Sequence, residues 1–219
     1  VSINRNRKVK SRSSQLQEPA AKVSAPHEFL WALIGLLLTI FSTFFEAFIT
    51  NPPWQWAEKG VYPHSLGVTY QIGAVLLTGC LGGKNAGALA QVAYLVLGLF
   101  WLPIFAKGGG LDYFQEPSFG YILGFIPGAW LCGWLAFRSR PRVESLALSA
   151  VAGLAIVHLC GLVYLLGLSY ANFTTNGTMS LGNLLAEVMN YSVAPLPGQL
   201  VIVCVVAVIA FMLRQILFY

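Results

Sequence analysis

The stretch LALSAVAGLAIVHLCGLVYLLGL, residues 146–168, runs for twenty-three residues without an Asp, Glu, Lys or Arg. A helix that crosses the hydrocarbon core of a bilayer needs roughly 20 apolar residues, range about 17–25, so this run reads as a membrane span. Five more runs approach the same length: Phe29 to Ile49, Leu66 to Leu81, Ala86 to Leu102, Phe119 to Phe137 and Pro197 to Leu213. With 57% hydrophobic and 10% charged residues and a mean hydropathy of +0.69, the chain lacks the ionised surface that keeps a soluble domain of this size dispersed. The expected fold class is an all-α membrane protein with six transmembrane helices. Residues 1–28 form a basic, disordered cytoplasmic arm in this reading, and residues 29–219 a single transmembrane domain.

Basic residues are sorted by side. Arg5, Arg7, Lys8, Lys10, Arg12 and Lys22 precede the first span. With that arm in the cytoplasm, alternate crossings put Lys84, Arg138, Arg140, Arg142 and Arg214 on the same side and leave Lys59 and Lys107 outside. This is the positive-inside pattern. It predicts a multi-pass protein of the cytoplasmic membrane with both termini cytoplasmic. The arm reads as a topology signal or a tether to membrane lipid, and not as a nucleic-acid site.

Inside the spans, Cys80, Cys132, Cys160 and Cys204 occur singly, with no CxxC pair, so they read as packing residues with no disulfide framework and no metal site. Gly35, Thr39, Thr43 and Ala47 recur every four residues, a ridge suited to packing against the protein's own helices ahead of any partner surface. His158 has no second ligand at helical spacing and is expected to bond within the bundle. The turn Leu81 to Ala88 is expected to be a tight helix connection, and the aromatic segment Asn51 to Ser65 an interfacial loop.

Polar groups of the outer half come from several elements. Gln71 lies in the outer part of the second span, where an amide must find a partner; taken alone it favours a structural one. The segment Pro103 to Ser118 is too irregular to span and too apolar for an ordinary exposed loop, so it is expected to fold back as a lid over a pocket. It carries Lys107, Gly108, Gly109 and Gly110, with Asp112 and Glu116 nearby. Pro195, Pro197 and Gly198 break the helix at the mouth of the last span and aim Gln199 inward. Lysine charge, glycine amides, Gln71, Gln199 and the rings of Tyr70, Tyr113 and Tyr121 suit a small amphipathic anion. No GxSxG, HExxH or phosphate-loop motif and no paired intramembrane acids are present, so neither an enzyme nor a cofactor is expected.

Several stretches carry a resemblance. Thr69-Tyr70-Gln71, the run from Leu81 to Leu89, YLVLGLFWLPIFA at residues 94–106, PSFGYILGF at residues 117–125 and Leu196-Pro197-Gly198 together resemble the BioY family, the biotin-specific substrate-binding component of energy-coupling-factor transporters. The resemblance implies six helices, a lidded outer pocket and high-affinity capture of biotin for uptake. It also implies a separate transmembrane coupling subunit and ATPase subunits as partners. Carried over, Gln71 and Gln199 would face the ureido ring, Lys107 with Gly108, Gly109 and Gly110 would meet the valerate carboxylate, and Tyr121 would wall the site. Gln199 stands where the family usually has an aspartate. Action alone, as a homo-oligomer or with such a motor is compatible with the sequence. The alternative reading is a structural or assembly subunit of a larger membrane complex, motivated by the small-residue ridge and the basic arm.

Overall fold

The structure, a computed structural model, describes residues 25–176 and 181–217. Most of the expected arm, residues 1–24, lies outside the described residues, and residues 25–28 already belong to helix α1 (Ala25–Thr43).

The first apolar run does not stay helical to Ile49. Past Thr43 the sequence supplies Phe44, Phe45, Phe48, Ile49 and Thr50, aromatic and β-branched residues that favour a pleated strand, and Pro52 and Pro53 then end it. Strand β1 (Glu46–Thr50) pairs antiparallel with β2 (Pro63–Thr69), with Glu46 opposite Thr69 and Phe48 opposite Ser65. The expected interfacial loop is the tip of this hairpin, including the one-turn helix α2 (Trp56–Lys59). Asn51 closes it: its amide donates to the Gly60 carbonyl at 3.0 Å and accepts from the Tyr62 N–H at 2.9 Å. The second apolar run accordingly loses its first residues to β2 and becomes helical only at Gln71.

Helix α3 (Gln71–Phe100) is interrupted at Gly83, where φ is 81° and ψ is −177°, a conformation that is essentially glycine's alone. The chain reverses there. In a straight helix Gln71 and Tyr94 would stand about 35 Å apart, yet the Gln71 amide meets the Tyr94 hydroxyl at 2.9 Å. The two halves, residues 71–82 and 84–100, are therefore an antiparallel pair joined through one glycine, which is the tight connection expected. With α1, α4 (Phe119–Ala136), α5 (Val143–Asn176) and α7 (Leu196–Leu217) they make six apolar helical segments. Among the described residues five helices are long and apolar enough to cross a membrane when α3 is counted once.

α3 lies at the centre, with α1 and α4 on its flanks, α5 beyond α4, and α7 against α3 and α5. Gly124 and Gly128 let α4 approach α5 backbone to backbone: a Cβ at either would fall 2.9 Å from atoms of Val157 or Gly153. This is small-residue packing, which membrane helices need because lipid gives them no hydrophobic drive to associate. The ridge on α1 is taken up in the same way. Gly35 abuts Thr78, Thr39 accepts from the Gln91 amide at 3.1 Å, and Thr43 sits 3.2 Å from the Tyr94 hydroxyl. The protein's own α3 thus fills the surface that motivated an assembly role. Cys80 and Cys132 are buried free thiols facing each other at 3.5 Å.

The described residues between the apolar run 146–168 and Leu196 are largely helical. α5 continues to Asn176, and α6 (Leu181–Val188) runs into a π-helical turn at Met189–Val193. The Ala194 N–H bonds the Met189 carbonyl at 2.8 Å, five residues back. The bundle's two ends differ in chemistry. At one, Asn85 donates to Glu28 at 3.1 Å, Arg214 donates to the Ala136 carbonyl at 2.8 Å, and Lys84 and Arg138 lie over the rings of Trp130 and Trp134. The hairpin, the 101–118 loop and the π turn cover the other.

Candidate functional site

A cavity of about 570 Å³ opens at the end opposite the cations, within the roughly 300–1,000 Å³ of small-molecule sites. The hairpin gives it one wall through Glu46, Val68 and Thr69, and α3 contributes Gln71 and Ile72 where its first turn begins. The loop before α4 supplies Ala106, Tyr113 and Ser118, and α4 supplies Tyr121, Ile122 and Phe125. The π turn turns Asn190 and Tyr191 toward it, and α7 adds Gln199 in its first turn. Single π turns inside helices recur at functional sites because they displace side chains from the regular helical face.

Of the residues singled out from sequence, Gln71, Tyr113, Tyr121 and Gln199 line this cavity together. Gln71 donates to the Tyr94 hydroxyl, which in turn donates to the Ile104 carbonyl at 3.1 Å; the Gln71 carbonyl oxygen takes no hydrogen bond among the described residues. Tyr94 thereby ties both halves of α3 to the loop.

Lys107 stands at the rim, next to the lining residues Ala106 and Tyr191. Its Nζ donates to Glu116 at 2.7 Å and to the Tyr191 hydroxyl at 3.1 Å, and lies 5.7 Å from the centre of the Tyr191 ring. The bond to Glu116, then that to Tyr191, holds the ammonium above the usual lysine range. Gly108, Gly109 and Gly110 are not among the lining residues. The Gly108 N–H bonds the Phe105 carbonyl at 3.0 Å and the Gly110 N–H bonds the Gly98 carbonyl at 2.9 Å. Gly108 and Gly110 have φ of 113° and 93°, so the turn itself needs glycine; the Gly108 amide closes the turn on itself and the Gly110 amide stitches it to the end of α3. Asp112 lies exposed in a 3₁₀ turn (Leu111–Gln115) outside the cavity wall.

Four polar side chains form a connected row beside the cavity. The Tyr121 hydroxyl is 2.6 Å from Ser192 Oγ, Ser192 Oγ is 3.2 Å from His158 Nδ1, and His158 Nε2 is 2.7 Å from Gln199 Oε1. His158 does bond within the bundle as expected. Its partners, Ser192 and Gln199, were not foreseeable at 34 and 41 residues' separation. Glu46 accepts from the Ser65 hydroxyl and borders the cavity. Among the described residues no three His, Cys, Asp or Glu side chains converge as a metal site would require. The arrangement offers amides, hydroxyls and aromatic walls, with one lysine at its edge.

Comparison with known proteins adds ancestry. The family model described as BioY family matches residues 23–218. A protein of Cyanophora paradoxa, called an uncharacterised 21.2 kDa protein in the psbX-ycf33 intergenic region, is 29% identical over 191 residues, covering 86% of this chain and 95% of that one. The biotin transporter BioY of Thermotoga maritima is 37% identical over 130 residues, 59% of this chain and 70% of its own. A crystal structure of the S-component for biotin from an ECF-type ABC transporter superposes with a TM-score of 0.56 at 20% identity, covering 98% of this chain and 95% of the other. That likeness establishes the fold as that of a multi-pass helical membrane protein. Since the family model runs from ahead of α1 to the end of α7, the chain belongs to the BioY family.

Proposed function

We propose that the protein captures biotin at the outer face of the cytoplasmic membrane as the substrate-specific component of an energy-coupling-factor transporter. It performs no chemistry on the vitamin. A transmembrane coupling subunit and ATPase subunits supply the driving force, since the sequence carries no nucleotide motif of its own. Both termini are cytoplasmic in this reading, which places the Lys84, Arg138 and Arg214 end inside and the cavity outside.

The observation that carries the reading is the meeting of Gln71 and Gln199 across one aromatic-walled cavity, with Lys107 on its rim. The fused ring system of biotin is uncharged and rich in hydrogen-bonding atoms, whereas its valerate arm ends in a carboxylate. Two amides suit the ureido group, Tyr121 and Phe125 cover the apolar body, and the arm extends toward Lys107. Gly108 to Gly110 act by shaping the turn that presents Lys107, and Asp112 belongs to the same turn.

Calorimetric titration of biotin into the purified protein in lipid nanodiscs tests this. Saturable one-to-one binding is expected, with thermal stabilisation that grows with the logarithm of ligand concentration. Absence of binding, with the protein folded by circular dichroism, overturns the proposal.

A further inference from the structure

We propose that His158 is a positioning residue: it consumes the carbonyl end of the Gln199 amide, so that position 199 offers N–H donors to a carbonyl oxygen of the ligand. The inference rests on the biotin reading and specifies how this cavity meets the ureido group.

The sense of the row follows from counting protons. Tyrosine and serine hydroxyls carry one each, and a neutral imidazole carries one on either nitrogen. Two senses of the row are open to a ring that carries one proton. Run forward, Tyr121 donates to Ser192, Ser192 donates to His158 Nδ1, and the His158 Nε2–H donates to Gln199 Oε1. The hydroxyl and ring protons then all have acceptors, and the unmatched protons are the two on the Gln199 amide, at the cavity. Run backward, the Gln199 amide donates to Nε2, Nδ1–H donates to Ser192, and Ser192 donates to Tyr121. One Gln199 proton and the Tyr121 proton are then left without acceptors among the described residues, and Tyr121 is only 9% exposed where Gln199 is more open to the cavity. Buried hydroxyls are rarely left so, and the forward sense holds.

Packing fixes the ring as well. His158 stands edge-on to Tyr121, centroids 5.7 Å apart at 82°, and the π turn that delivers Ser192 closes the other side. The Gln199 Nε2 has no hydrogen-bond partner among the described residues, and Gln199 borders the cavity. A carboxylate at the same place presents only acceptors. It would register an N–H of a ureido ring, whereas this amide registers the carbonyl oxygen.

Two measurements decide this. In nanodiscs, dissociation constants are determined for biotin and for 2-iminobiotin, which carries a protonated C=NH where biotin carries C=O. The wild type is expected to bind the imino compound at least about 100-fold more weakly, because donor would face donor. His158→Phe is expected to shrink that ratio at least about tenfold, since the freed amide turns over; a purely structural role would weaken both ligands alike and leave the ratio unchanged. Ser192→Ala, which loosens the same ring, is the second variant where His158→Phe does not fold, and the same shrinkage is expected. The ¹⁵N spectrum of histidine-labelled wild type is expected to show His158 neutral with its proton on Nε2. A proton on Nδ1, a wild-type ratio near one, or an unchanged ratio in a folded variant overturns the inference. A wild type that binds neither compound overturns the biotin reading, while the spectrum still decides the sense of the row.

Discussion

Lys107 is already occupied before any ligand arrives, and that makes its contribution measurable from two sides. Its Nζ lies 2.7 Å from Glu116, with side chains 51% and 36% exposed. An ion pair that open to solvent contributes about 0–1 kcal/mol, so a ligand carboxylate displaces Glu116 at small cost. Glu116→Gln removes both the competitor and a negative charge beside the incoming anion. Biotin binding is therefore expected to tighten by at most about 1 kcal/mol, roughly fivefold. Lys107→Ala removes a charge-assisted hydrogen bond worth about 1.5–3 kcal/mol, less what was spent in leaving Glu116. The net loss is about 1–2 kcal/mol, between roughly 5- and 30-fold.

Combining the two substitutions supplies the control. The tightening from Glu116→Gln should largely vanish when Lys107 is absent, because residues that share one contact do not act additively. The neutral biotin amide should be nearly indifferent to both changes. All four proteins are compared by calorimetry in nanodiscs at low and high salt, and the differences should shrink as salt screens the rim charges. Equal losses for acid and amide on Lys107→Ala would show that Lys107 does not touch the carboxylate. Weakening on Glu116→Gln would show that the ion pair holds the loop in its binding form.

Three further outcomes follow from the geometry. Gly83→Ala forces a side chain into a glycine-only conformation and should destabilise the protein by about 1–3 kcal/mol, whereas Gly167→Ala, whose new Cβ meets nothing within 4 Å, should not; thermal unfolding of the two variants side by side checks this. Tyr94→Phe strips the hydroxyl to which Gln71 donates and which bonds Ile104; a loss of about 1–3 kcal/mol in stability, with weaker biotin binding, is expected from thermal shift and calorimetry. Because Glu116 and Tyr191 raise the Lys107 pKa, its stabilising charge is fully present below the ordinary value of about 10.4 and is lost only as pH climbs through the higher folded value. Binding should therefore show no Lys107-dependent decline between about pH 6 and pH 9, and a decline there that Lys107→Ala abolished would contradict the assignment.

The six helical segments are legible because a bilayer imposes length directly: a span must satisfy its backbone internally over a fixed thickness, and an apolar run of that length has few other uses. The same logic misjudged where the first run ends. Hydropathy reads Phe44 through Ile49 as more of the same, but it does not separate helix from strand; β-branched and aromatic side chains followed by two prolines do, and they convert the end of the run into a hairpin. Toward the other end of the chain, α5 simply continues beyond its apolar stretch, to Asn176.

The cavity was partly legible for a related reason. A glutamine in an apolar outer half must meet another polar group, which marks Gln71 and Gln199 without any structure. The glycines were ambiguous, since the same residue serves a ligand or a turn, and only the positive φ of Gly108 and Gly110 assigns them to the turn. His158 was the hardest case, because its two partners come from a π turn that no periodicity announces and from a helix 41 residues away. Positions 158 and 199 nonetheless form one unit. A carboxylate beside this histidine would take its N–H and still show only acceptors to the cavity, whereas the amide gives its one acceptor to the ring and keeps its donors for the ligand. The histidine behind Gln199 is thus what would fix the sense in which this amide meets a ligand.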